Sequence, residues 1–97
     1  MRRQIIEQEA VRLALNEAEA NWDRANDAWE AATWVMAHDP EVGTPVTESG
    51  KTRSFVFQGS ITNGMPSLTV LYEDQNPYLI VHDVKFWRPT RYERQIH

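Results

Sequence analysis

The chain of 97 residues contains no cysteine, which excludes disulfides, thiolate metal sites and cysteine nucleophiles together. Neither glycine nor proline occurs before Pro40, so nothing in the first forty residues forces a helix to break. No apolar run approaches the ~18 residues of a membrane span. The segment from Met1-Arg2-Arg3 to Glu7 holds only Ile5-Ile6 as an apolar stretch, too little for a signal peptide. These absences predict a cytoplasmic protein without a membrane partner. There is no glycine-rich phosphate loop and no Gly-x-Ser-x-Gly elbow. His38, His82 and His97 share no ligand spacing, so neither a metal nor another cofactor is expected.

What is present is enough for one core. Hydrophobic residues make up 41% and charged residues 25%, the balance of a folded domain rather than a disordered chain. At this length a single domain over residues 1–97 is expected. The net charge of −4 is unevenly spread. Residues 1–50 set four arginines against ten acidic side chains, whereas residues 51–97 set six cations against four acids. An anionic partner therefore belongs with the second half, although an uneven scatter of surface charge is the plainer explanation.

The hydrophobic period divides the chain in the same way. Val11, Leu15, Ala18, Trp22, Ala25, Trp29, Ala32 and Met36 recur at alternating steps of four and three, which places them on one side of a helix. Helical structure is expected over 8–38, as one rod or as a hairpin broken near one of the Asn-containing capping sites. Trp34 and Val35 widen the apolar face toward the C-terminal end, as packing on a sheet requires. Asp39-Pro40 ends the run, and a surface connection follows to Gly50, with room for a short edge pairing around Pro45-Val46.

From Lys51 the period becomes two. Phe55 and Phe57 oppose Val56, and Leu68, Val70 and Tyr72 oppose Thr69 and Leu71, giving two strands joined through Asn63-Gly64. Glu73 to Pro77 reads as a second turn. A third strand, Tyr78 to Trp87, carries Leu79, Val81, Asp83 and Lys85 on one face and Ile80, His82, Val84 and Phe86 on the other. With apolar residues on both faces, it reads as a central strand covered on both sides. The expected architecture is α+β: a helix or helical hairpin over 8–38, a three-stranded antiparallel meander over 51–87, and a basic tail over 88–97.

The helix from Ala25-Asn26-Asp27-Ala28-Trp29-Glu30 to Asp39-Pro40-Glu41-Val42-Gly43, Arg53 on the next strand, the Tyr72-Glu73 strand end and Val81-His82-Asp83-Val84-Lys85-Phe86 together resemble the RelE/ParE superfamily of bacterial toxins. That resemblance spans roughly residues 18 to 88. It implies the toxin of a type II toxin–antitoxin pair, bound by a cognate antitoxin. It also implies an opening strand paired with the last one, a part that only Gln4-Ile5-Ile6-Glu7 could play, making four strands. Ribosome-dependent RNases of this superfamily are strongly basic, whereas this chain is acidic.

Cleaving mRNA on the ribosome requires proton carriers for the 2′-hydroxyl and the leaving 5′-oxygen, and cations for the phosphate. The resemblance places these groups among Arg53, His82, Lys85, Arg88 and Tyr92, with Tyr92 as proton carrier and Arg88 as phosphate clamp, and gives Lys51, Arg91 and Arg94 to RNA binding. Each has a plainer reading: a tail that frays, a core histidine at His82, cations that guard a strand edge at Lys51 and Arg53. Trp22 and Trp29 belong to the stripe and hence to the core. Trp34 and Trp87 fall outside it and suggest a partner surface for the antitoxin. Two rivals accompany the RNase reading: a ParE-like inhibitor of DNA gyrase without hydrolysis, and a degenerate relative that only binds its partner.

Overall fold

A computed structural model describes residues 2–89. The expected helical hairpin is there: α1 spans Glu9–Asn21 and α2 spans Ala25–His38. The stripe continues across the break between them, but Leu15 and Trp22 are only half-buried, and Trp22, expected in the core, does not join it. Val11, Ala18, Ala25, Trp29, Ala32 and Met36 are all buried. None of the Asn side chains caps a helix; Asn21 instead donates to the Glu17 carbonyl within α1. Trp22 closes α1 through its backbone N–H to the Ala18 carbonyl.

The sheet corrects the three-stranded antiparallel expectation. It has five strands, β1 (Gln4–Glu7), β2 (Thr44–Pro45), β3 (Thr52–Phe57), β4 (Ser67–Gln75) and β5 (Tyr78–Trp87), in the spatial order β1-β5-β4-β3-β2. It is also mixed, because β1 runs parallel to β5 while every other pair is antiparallel. Periodicity could not reveal β1. Only Ile5 of its four residues packs inward, and the strand is held by backbone pairing and by Arg3, whose N–H reaches the Ala37 carbonyl and whose guanidinium meets Asp74 at 2.8 Å. β2 pairs with β3 over two residues at the opposite edge.

Two further expectations change. β4 continues to Gln75, so Glu73, Asp74 and Gln75 are strand residues rather than a turn, and only Asn76-Pro77 separates β4 from β5. The pairing of β4 with β5 also slips at Leu71/Tyr72: Leu71 faces Asp83, and Tyr72 faces Val81. His82 is the extra residue of a β-bulge, which reverses the phase of β5. Leu79 and Val81 point into the core before the bulge, Val84 and Phe86 after it. Leu79 and Val81 on one apparent face and Val84 and Phe86 on the other are thus one core face read through a one-residue slip, while Ile80 stays on the opposite face. Both helices cover that face, and no element among the described residues covers the other.

The core joins Val11, Trp29, Ala32 and Met36 of the helices to Leu68, Val70, Tyr72, Leu79, Val81 and Val84 of the sheet. At the β3–β4 hairpin only Gly64 of the Asn-Gly pair takes a positive φ, of 70°. No helix among the described residues is long and apolar enough to cross a membrane.

Candidate functional site on the uncovered sheet face

On the uncovered face the alternation of β4 presents Thr69, Leu71, Glu73 and Gln75, all at least partly exposed. Their register partners on β5 are Lys85, Asp83, Ile80 and Tyr78. The bulge adds His82 to this row, the re-aiming of a side chain that bulges achieve. His82 therefore does not share a face with Val84 and Phe86, and it is not a core histidine. Its Nε2 lies 2.9 Å from Glu73 Oε1 and its Nδ1 lies 3.4 Å from Gln8 Oε1. Gln75 Nε2 donates to the other Glu73 oxygen at 2.7 Å. The Gln75 amide first, and the His82 ring second, hold the Glu73 carboxyl below its usual range. The Glu73 carboxylate can only accept, so it takes the Nε2–H; Nδ1 keeps its lone pair where the Gln8 amide turns its N–H, rather than its oxygen, toward the ring.

Lys85, exposed opposite Thr69, is on the same face as His82. So is Trp87, which is half-buried and donates from Nε1 to Thr69 Oγ1 at 3.2 Å. Lys51, exposed just before β3, adds its charge to those acting on Glu73. Arg88 is exposed just past the end of β5. The uncovered face thus gathers His82 and Lys85 of the expected set and adds Glu73, Gln75 and Gln8, which residue type alone did not single out. Tyr92, Arg91 and Arg94 lie outside the described residues.

Arg53 is elsewhere. It pairs with Tyr72 across β3 and β4 and so faces the helices, where its guanidinium donates to three backbone carbonyls: Gly50 at 2.9 Å, Glu41 at 3.1 Å and Gly43 at 2.8 Å. Neither does it decorate a strand edge; it fastens the loop that follows α2. Buried Tyr72 completes the fastening, its hydroxyl donating to the Pro40 carbonyl at 2.7 Å and accepting from the Gly43 N–H at 3.0 Å. Burial pushes the Tyr72 phenol up, against the Gly43 hydrogen bond and the Arg53 charge. A Cβ at position 43 would stand 2.9 Å from both the Ser54 carbonyl oxygen and the Tyr72 hydroxyl, so the segment Asp39-Pro40-Glu41-Val42-Gly43 needs its glycine for close approach.

The two tryptophans assigned to a partner do not share a surface. Trp34, 61% exposed, stacks on His38 along α2 with ring centroids 4.1 Å apart, whereas Trp87 stands on the sheet face away from the helices. Among the described residues no three His, Asp or Glu side chains converge where a metal ion could sit. Comparison with protein-family models, with curated proteins and with solved structures finds nothing that matches this chain.

Proposed function

We propose that the chain is the toxin of a RelE/ParE-like toxin–antitoxin pair and that it cleaves mRNA on the uncovered sheet face. The observation that carries this reading is the bulge that turns His82 onto that face and into a hydrogen bond with Glu73. The pairing of β1 with the last strand, which the resemblance implies, supports it as well. In the reaction, His82 Nδ1 takes the proton of a 2′-hydroxyl and Glu73 stabilises the imidazolium that results. The 2′-oxygen attacks phosphorus and the bond to the 5′-oxygen breaks. That oxygen takes a proton from water while the imidazolium returns its own to the hydroxide formed, leaving a cyclic phosphate and a 5′-hydroxyl. Lys51, whose charge already acts on Glu73, and Lys85, three residues along β5 from His82, are described cations that would meet the developing charge. Arg88 stands six residues from His82, about 20 Å along the strand. A cognate antitoxin would cover the same face.

The test is controlled expression in a bacterial host with message ends and plasmid supercoiling followed together. New message ends that disappear in His82→Ala, with supercoiling unchanged, are expected. Message ends identical in both chains would overturn the assignment of His82. One observation favours the second reading, a ParE-like inhibitor of DNA gyrase: Glu73 and Asp83 put two carboxylates beside His82, where a phosphate would meet repulsion. Intact messages with gyrase-dependent DNA damage would decide for it.

A further inference from the structure

One row of the uncovered face lies beyond the His82–Glu73 pair. Gln4, Tyr78 and Gln75 are register partners across β1, β5 and β4, and all three are exposed, Tyr78 by 45%. Side chains in such a row stand ~5 Å apart at Cβ, so the Tyr78 ring has an amide on either side. The Gln75 amide is oriented. Its nitrogen faces Glu73, because a carboxylate can only accept. The Gln75 carbonyl oxygen and second N–H remain as an adjacent acceptor and donor. That pair matches the N6 amino group and N7 of adenine, while a tyrosine face offers a stacking platform for any unpaired base.

We propose that the Gln4–Tyr78–Gln75 row is a base-reading subsite for single-stranded RNA, in which an unpaired adenine stacks on Tyr78 and presents its N6/N7 edge to Gln75. The inference rests on the nucleic-acid reading of this face. Tyr78 lies four residues from His82 along β5, about 13 Å, so the base it holds belongs to a neighbour of the cleaved nucleotide. Glu73 joins the two places, since one of its oxygens orients Gln75 and the other orients His82. Tyr78 and Gln75 are specificity residues that take no part in proton transfer.

The test is fluorescence anisotropy at low salt with short 2′-O-methyl oligomers of adenine and of uracil, which bind but cannot be cut. The full chain should bind the adenine oligomer about tenfold more tightly than the uracil one. Tyr78→Ala should weaken adenine binding about tenfold, and Gln75→Leu should bring it to the uracil value. Tyr78→Phe should keep the preference, because stacking needs the ring and not the hydroxyl. Equal affinities in the unaltered chain, no binding to either oligomer, or a preference that survives both Tyr78→Ala and Gln75→Leu would overturn the subsite. Message ends in the host separate this inference from the one beneath it. Adenine-selective binding without cleavage removes the nuclease and leaves the subsite, and cleavage without adenine preference does the reverse.

Discussion

Two clusters on opposite faces of the same sheet use similar residue types for different ends. Toward the helices, Tyr72 and Arg53 direct their polar atoms at backbone groups: the carbonyls of Pro40, Glu41, Gly43 and Gly50 and the N–H of Gly43. On the uncovered face, His82, Glu73, Gln75 and Gln8 contact one another through side chains alone and remain partly open to water. A side chain committed to backbone has no capacity left for a ligand, whereas an exposed side-chain network can exchange its partners. Arg53 and His82 are equally plausible catalytic types, and only what each one holds separates a fastening from a site.

That contrast can be broken most forcefully at Tyr72. Tyr72→Ala removes a wholly buried ring and should cost about 3–5 kcal/mol, lowering the thermal midpoint by more than ~10 °C. A shift of only a few degrees would show that the loop after α2 does not depend on this ring. Arg53→Ala strips three carbonyls of their donor and should cost about 1–3 kcal/mol, read as a lower midpoint in urea. If Arg53 were catalytic instead, the same variant would unfold normally and lose activity alone.

Stability against pH sharpens the comparison. The Tyr72 phenol is raised above its ordinary 10.0, so its contribution is complete below that pH and is lost as pH climbs through the raised value. Tyr72→Phe should remove this alkaline component from a urea-midpoint series. Glu73 is shifted the other way, below 4.5; its contribution is present above that pH and is lost as pH falls through the lowered value. Glu73→Gln should flatten the acid limb slightly. The smallest stability effect belongs to His82→Ala, within about 1 kcal/mol because the pair is partly exposed, even as the proposed cleavage disappears. A large loss of stability there would make His82 structural.

The helices and the meander were legible because their apolar residues keep strict periods over several turns or alternations. β1 was not, since four residues with one inward side chain leave no period to count. The bulge was misread for a definite reason. A one-residue slip turns a single core face into what looks like two apolar faces, so His82 was grouped with Val84 and Phe86. Glu73 and Gln75 read as turn residues because the polar run Glu73-Asp74-Gln75-Asn76 before Pro77 ends the apolar alternation of β4, while the backbone pairing with β5 continues to Gln75. Arg53 was legible as a cation but not as a clasp, because its acceptors are carbonyls of a loop joined to it only by folding. Trp34 lies outside the buried stripe, and its exposure overturns the expectation that it and Val35 widen the face packed on the sheet, since neither joins the core.

The pairing of β1 with β5 also has a consequence for the birth of the molecule. Synthesis delivers β1 and both helices before β5, the strand that flanks β1 and supplies Leu79, Val81 and Val84 to the core. Until then α1 lacks the strand on which its apolar side packs. Contacts this distant in sequence close slowly, so the half-made chain is the form most exposed to aggregation and proteolysis.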